Sequence, residues 1–493
     1  MNAADYFLRN ARDDAPAFVT AEGQVTYAQF RAMCIHLVAE LTARGICSGE
    51  RVAILAKNSP FWAAAYLAVL KLGAVAVPIS NLYPPDEVRR VLDFAECKFL
   101  FFDKPALVKY ASISGGLPYF LLDNNLLQAD SAPWTESAPG FDPESDAALM
   151  PTSGTTARPR LVRITHRNLQ ANTNSIIEYL ELTATERMMV VLPFYYCYGA
   201  SLLHTHLRVG ATLVISNTFT YPETVLDMME SAQCTGFAGV PSTYQILLRN
   251  STFPRRQLPH LKKLQQAGGK LHNALLQELA ASHPEARVYV MYGQTEATAR
   301  LSYLPPELLQ RKLGSIGRGI PGVSLKVLDE NGNPIRPGET GEIVAQGQNI
   351  SPGYLEDEEA NREKFRNGLL YTGDLATVDE DGFIYIVDRK SDFIKSYGHR
   401  ISSYEIESCI LQIPQVVSVA VVGLPDEQAG EQIAAFVVRQ TGAALNEQDV
   451  LQHCRVHLAR HMLPQSVIFL PALPLNAHGK VLKSELRKMK AAA

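Results

Sequence analysis

Long uncharged runs are missing from this chain. Its most apolar stretch, FWAAAYLAVLKLGAVAVPIS (61–80), is interrupted by Lys71, Gly73 and Pro78. It therefore reads as a buried helix followed by a strand rather than a membrane span, which needs about 20 apolar residues in succession. An excess of positive charge is missing too: 46 lysines and arginines face 50 aspartates and glutamates, a formal net charge of −4. That balance argues against a nucleic-acid binder, and no polybasic run suits a membrane surface. The seven cysteines, Cys34, Cys47, Cys97, Cys197, Cys234, Cys409 and Cys454, form no CxxC and show no metal-ligand spacing. An odd, dispersed set reads as reduced thiols. The N-terminal MNAADYFLRNARDD lacks the apolar core of a signal peptide. No repeat and no low-complexity segment beyond the final KAAA is found. Composition excludes a disordered chain, with 47% hydrophobic and 19% charged residues. The expectation is a cytoplasmic globular protein, and 493 residues allow two to four domains at about 150 residues each.

What is present is alternation. Apolar residues at helical spacing over 28–44 stop at Gly45, and the short apolar runs 51–57, 74–79 and 98–103 alternate with helical patterns at 59–72 and 84–96. That rhythm predicts βαβ units and a parallel sheet covered on both faces; it recurs at 187–193, 211–216 and 287–293. From about 314 the chain becomes Gly/Pro-rich with short strands and a DENGNP turn, predicting antiparallel β structure. From about 391, two strand patterns and an amphipathic helix over 446–463 predict a small α+β domain.

The segment TSGTTARPR (152–160) follows an apolar run. A Ser/Thr/Gly turn can gather backbone N–H groups and hydroxyls into a concave anion site, and arginines add bidentate donors for phosphate. It is no Walker A loop, which requires a second glycine and a lysine; a solvated turn is the plain alternative. YGQTEAT (292–298) follows a strand pattern and sets a hydroxyl beside a carboxylate, a pair suited to phosphate and Mg2+. The segment 370–402 offers Asp374 as an acceptor for ribose hydroxyls and Arg389 as a fixed donor, and LPLNAHGKVLK (473–483) places Lys480 after a glycine. Singly, these read better as a turn acid, a surface arginine and a solvated lysine.

Taken together, in this order and spacing, the motifs resemble those of the acyl-adenylate-forming superfamily: acyl- and aryl-CoA synthetases, peptide-synthetase adenylation domains and luciferases. The resemblance runs from VTYAQF (25–30) to NAHGKVLK (476–483). It implies an α/β fold: a large N-terminal domain (1–390) of parallel αβ sheets with a small β-barrel-like subdomain (about 314–390), then a small mobile α+β domain (391–493). It also implies ATP and Mg2+ as cofactors. Thr152, Ser153, Gly154, Thr155, Thr156 and Arg160 would wrap the β- and γ-phosphates, and Gly268 and Gly269 of AGGK would pack on adenine. Tyr292 would flank the base within a motif that includes Gly293 and Gln294. Thr295 would meet the α-phosphate, Glu296 would bind Mg2+, Asp374 would hold the ribose with Arg389 nearby, and Lys480 would reach the reacting oxygens. After a rotation hinged near Ser391, Lys395, Gly398 and Arg400 would receive the thiol of CoA or of a carrier-protein phosphopantetheine.

The chain departs from the family loop TSGTTGxPKG at Ala157, Arg160 and Leu161. Ala157 restricts the backbone; Arg160 keeps the positive charge. Tyr196, Cys197, Ser201, Val240 and Thr298 are the candidate acyl-pocket residues. Cys197 stands where α-amino-acid-activating relatives carry an Asp, so the expected substrate is a small carboxylic acid other than an α-amino acid. His204 and His206 would not share a helix face and read as packing or surface residues rather than a metal pair. The leading expectation is ATP-dependent formation of an acyl-AMP with pyrophosphate release, then transfer to a thiol. Transfer to an amine, a luciferase-like oxidase and a non-catalytic nucleotide or acyl binder are the alternatives.

Overall fold

The computed structural model describes residues 1–493 except 111, 113–115, 129–132, 138–139, 153–158, 390–392, 427, 441, 477–480 and 492–493; the side chains of 389, 400, 490 and 491 also lie outside the description. Two largely parallel sheets form the bulk of the chain. In the first, the strands Arg287–Tyr292, Lys263–Gln266, Gly236–Gly239, Arg187–Val190, Thr212–Ile215 and Pro16–Thr20 run parallel in that spatial order. Antiparallel strands flank them at both edges. In the second, Asp146–Pro151, Val75–Pro78, Arg51–Leu55, Phe99–Phe102 and Tyr119–Leu121 are parallel, and Leu161–Thr165 and Gly353–Tyr354 extend one edge antiparallel.

Two helices with little polar surface fill the space between the sheets. Pro60–Leu72 is started by the Ser59 hydroxyl, which accepts from the Trp62 N–H, and is stopped by Gly73 at φ 76°, a left-handed value that favours glycine. Cys197–Val209 buries eleven successive residues, Cys197 to Leu207. A helix apolar all round belongs in the interior, and one contiguous core joins side chains of both helices and both sheets. The stretch 61–80 is thus the expected buried helix and strand.

The expected β-rich segment is a five-stranded antiparallel sheet of Val323–Leu328, Gly341–Gly347, Leu369–Val378, Phe365–Arg366 and Ile384–Arg389. The C-terminal part builds a fourth sheet around the long hairpin Val416–Asp426 and Gly430–Arg439. The expected helix over 446–463 is shorter: Glu447–His457 is α-helical, Leu458 is extended, and Arg460–Met462 forms a single 3₁₀ turn. The apolar spacing of Leu458, Met462 and Leu463 continues the period, and all three pack on the C-terminal core although the backbone has left the helix. The expected domain boundary falls at 390–392, outside the described residues. Among the described residues, no helix is long and apolar enough to cross a membrane.

Candidate active site

The loop TSGTTARPR connects the antiparallel strands Asp146–Pro151 and Leu161–Thr165, paired through Pro151 and Leu161. Its base is closed by the Thr152 N–H donating to the Arg160 carbonyl at 3.0 Å. Ser153, Gly154, Thr155, Thr156, Ala157 and Arg158 lie outside the described residues. Arg160 is held by two partners: Nε lies 3.2 Å from Asp357 Oδ2, and the guanidinium sits over the Tyr354 ring at 5.1 Å. The Tyr354 hydroxyl in turn donates to Glu296 Oε1 at 2.6 Å. Arg160 and Glu296, far apart in sequence, therefore share one aromatic side chain.

Glu296 lies in a sharp turn that leaves the strand Arg287–Tyr292. Gly293 opens it: a Cβ there would stand 1.9 Å from the Ala299 carbonyl oxygen, so only glycine fits. Thr295–Ala297 forms a 3₁₀ turn, and Thr298 follows at φ 65°, a strained value for a β-branched residue. Asn349 and the Thr298 hydroxyl hold this geometry. Asn349 Nδ2 donates to the Ala297 and Arg300 carbonyls at 3.2 and 2.9 Å, and Thr298 Oγ1 donates to the Asn349 carbonyl at 2.7 Å. Gln294 Nε2 is buried without a hydrogen-bond partner among the described residues. An unmatched amide donor beside a half-buried carboxylate fits a phosphate with its cation better than an apolar ligand.

Tyr292 and Asp374 meet at the junction with the antiparallel sheet. The Tyr292 hydroxyl donates to Asp374 Oδ2 at 2.6 Å. Asp374 is 5% exposed, and the register sets Arg389 directly opposite it. Tyr292 belongs to the core of that sheet. Gly268 has φ 83°, and a Cβ there would approach Val240 Cγ1 to 2.8 Å and Tyr196 Oη to 3.1 Å. Tyr196 and Val240 thus close around Gly268, beside Gly269, rather than lining the cavity below.

That cavity is small, and Cys197, Ser201 and Thr298 are among the residues that line it. Tyr66, Met150, Asn172 and His204 line it as well; their contributions come from four separate elements and carried no local signal. The Thr295 hydroxyl donates to Cys197 Sγ at 3.5 Å, so the polar turn touches the cavity wall. Of the two expected readings for His204 and His206, packing or surface, packing is what the structure shows: both are buried. His204 stacks on Phe7 with ring centroids 4.6 Å apart and pairs Nε2 with the Tyr66 hydroxyl at 3.2 Å. His206 Nδ1 donates to the Leu202 carbonyl at 2.8 Å. Burial pushes His204 down to about 3 and His206 to about 4, so both rings are neutral. Tyr198 is a core residue whose hydroxyl donates to the Gln265 carbonyl at 2.7 Å.

Lys395 and Gly398 belong to the hairpin Ile394–Ser396 and His399–Ile401. A Cβ on Gly398 would meet nothing within 4 Å, and φ 78° is what requires glycine there. The Arg389 and Arg400 side chains lie outside the description, as do Ser391 and Lys480. The C-terminal part docks through the helix Ser403–Ile410. Tyr404 stacks on His272 with centroids 4.6 Å apart, Ser408 pairs with His272 Nδ1 at 2.8 Å, and Lys270 Nζ sits over the Tyr404 ring at 4.1 Å. Burial lowers Lys270 to about 8 and His272 to about 3.

The sequence model of the AMP-binding enzyme family matches residues 7–355, and that of the AMP-binding enzyme C-terminal domain matches 405–480. A long-chain-fatty-acid–CoA ligase of Mycobacterium tuberculosis is 32% identical over 94% of this chain and 93% of its own. Among solved structures, ATP-bound MatB from Rhodopseudomonas palustris superposes with TM-score 0.89 at 30% identity, covering 99% of each chain. The o-succinylbenzoate CoA synthetase MenE from Bacillus subtilis, in complex with its acyl-adenylate intermediate, superposes with TM-score 0.86 at 27% identity, covering 99% of this chain and 98% of its own.

Proposed function

The chain belongs to the AMP-binding enzyme family, and from that premise we propose how its residues divide the reaction. It is an AMP-forming acid–thiol ligase. A carboxylate oxygen attacks the α-phosphorus of ATP, the bond to pyrophosphate breaks and an acyl-AMP forms. A thiol then attacks the acyl carbon and AMP leaves. The observation that supports the assignment is the 3.5 Å contact between the Thr295 hydroxyl and the Cys197 thiol. The residue assigned to the α-phosphate touches the wall of the acyl cavity, which is where a carboxylate must meet phosphorus.

In this reading Thr295 donates to the α-phosphate. Arg160, with Thr152, Ser153, Gly154, Thr155 and Thr156, neutralises the outer phosphates, and its guanidinium can leave Asp357 for a phosphate without leaving Tyr354. Asp374, oriented by Tyr292, accepts from the ribose hydroxyls, and Gly268 and Gly269 leave a flat surface for the base. Glu296 is the carboxylate that would hold Mg2+, which when bound offsets phosphate charge. Lys480 supplies a positive charge where negative charge builds at the α-phosphate. The acid is not an α-amino acid, because a Cys197 thiol cannot neutralise an ammonium. The acceptor is CoA, received near Lys395, Gly398 and Arg400 after residues 391–493 turn as a unit against 1–390; the setting is the cytoplasm.

Carboxylate-dependent ATP–pyrophosphate exchange over aliphatic, aryl and amino acids tests the first step. Exchange with one acid class, lost in Lys480→Ala, is expected. Full exchange in Lys480→Ala overturns the role of that lysine. Silence with every acid, relieved by an Ala157→Gly, Arg160→Lys double variant, assigns the defect to the loop. CoA thioester formation, measured against amide formation with amines alone, tests the acceptor.

A further inference from the structure

Cysteine spacing in the sequence gives no metal motif, yet the fold brings one cysteine to a pair of histidines away from the active site. Cys409 lies on the helix Ser403–Ile410, and His453 and His457 lie on the helix Glu447–His457. One ligand atom from each of the three residues falls within 4.8 Å of the others. His453 and His457 are four residues apart on one helix, the spacing that sets two imidazoles on one face, and their ring centroids are 4.2 Å apart. Forty-three residues separate Cys409 from His453, which is why reading along the chain misses the group.

Both imidazoles are already oriented. His453 Nε2 lies 3.0 Å from the Cys409 carbonyl, and His457 Nδ1 lies 2.9 Å from the His453 carbonyl. A carbonyl only accepts, so each of these nitrogens carries the hydrogen, and in the neutral ring the opposite nitrogen holds a free lone pair. Metal-ligating histidines are fixed in this same way, by donating their second ring nitrogen to a carbonyl or carboxylate. The Cys409 thiol is buried, and near it on the second helix is the buried thiol of Cys454. His453 is half-buried and His457 exposed, so an ion can enter from solvent.

We propose that Cys409, His453 and His457 form a binding site for a borderline-soft divalent ion, Zn2+ by its ligand preference, with Cys454 or water in the fourth position. Thiolate and imidazole donors select Zn2+ over Mg2+ or Ca2+, which take oxygen ligands. Zn–S of about 2.3 Å and Zn–N of about 2.0–2.1 Å put tetrahedral ligand atoms roughly 3.3–3.8 Å apart. Small side-chain rotations therefore close the 4.8 Å group around an ion. The ion would tie the two helices together.

The test uses the full-length protein, stripped with a chelator and kept reduced with a phosphine, titrated with Co2+ alone. The expected result is one equivalent of Co2+ bound, with the strong visible bands of a tetrahedral ion and a thiolate-to-cobalt charge-transfer band. Zn2+ should abolish both, and excess Mg2+ should leave them. Cys409→Ser should weaken the charge-transfer band, a Cys409→Ser, Cys454→Ser double variant should lose it, and His457→Ala, on an exposed position, should weaken binding at least about tenfold. A pale octahedral spectrum, a charge-transfer band that survives the double variant, or a Cys409–Cys454 disulfide in the protein as isolated would each overturn the site. The wild-type titration decides the matter even where a variant folds poorly.

Discussion

Replacing Asp374 by Asn removes one negative charge and leaves the shape of the side chain. The carboxylate is buried, and its Oδ2 accepts from the Tyr292 hydroxyl at 2.6 Å; the amide oxygen of Asn can accept the same bond. Hydrogen bonds to charged groups contribute about 1.5–3 kcal/mol and neutral ones about 0.5–1.5 kcal/mol, so each ribose hydroxyl bonded to Asn in place of Asp loses about 1–1.5 kcal/mol. Two hydroxyls lose about 2–3 kcal/mol, and at about 1.4 kcal/mol per tenfold the KM for ATP rises roughly 30- to 150-fold. The ribose is remote from the reacting phosphorus and is bound equally in ground and transition states, so kcat stays near the wild-type value. Pyrophosphate exchange at varied ATP and saturating acid reads both constants, and thermal unfolding reports whether the fold survives. An unchanged KM, or a loss confined to kcat, refutes the assignment of Asp374 to the ribose; collapse of the unfolding transition makes its role structural.

Four buried histidines set an acid limit on stability. Burial holds His166, His204 and His272 down to about 3 and His206 to about 4, against 6.5 when unfolded. Depressed folded values mean the unfolded chain binds more protons, so the stability they confer is complete above pH 6.5 and is lost as pH falls toward 3 or 4. Replacing His204 by Gln should reduce the slope of unfolding free energy against pH in that window by about 1.4 kcal/mol per unit; equal slopes in urea melts would contradict the neutral buried ring. Ala200 lines the cavity proposed for the acyl group, so Ala200→Phe should shift preference to shorter acids, raise KM for the longest acid and leave KM for ATP alone. An unchanged acid profile would put the acyl group elsewhere. Gly293→Ala would set its Cβ 1.9 Å from the Ala299 carbonyl oxygen; the turn must move, and exchange activity should fall by more than about tenfold together with a lower unfolding temperature. Wild-type exchange in that variant would show that the turn tolerates displacement.

The strands at Arg51–Leu55, Val75–Pro78 and Phe99–Phe102 were legible because short apolar runs between helical patterns leave few alternatives. So was the buried helix Pro60–Leu72, whose cap and stop are local residues, Ser59 and Gly73. The polar motifs could be found, but their mutual contacts could not. Tyr354 joins Arg160 to Glu296, and Asn349 holds the Glu296 turn, yet neither residue stands out in composition or period, because each acts through a contact made by the folded chain. The lining of the cavity was partly legible for the same reason: Cys197, Ser201 and Thr298 sit in motif segments, while Tyr66 comes from a helix that reads only as core and Asn172 from the helix His166–Leu180, which carries no motif. Leu458 ends its helix without a Gly or Pro nearby, so periodicity alone overran it.

The hydroxyl of Thr295 resting on Cys197 Sγ has an evolutionary consequence. A lineage that altered the acid it accepts by changing residue 197 would also disturb the hydroxyl assigned to the phosphate, so changes of diet there come with a loss of rate. Tyr66, Met150 and His204 line the same cavity, and no hydrogen bond joins them to Thr295 among the described residues. Variation in acid preference among descendants of this chain should therefore accumulate at those three positions, while position 197 stays still.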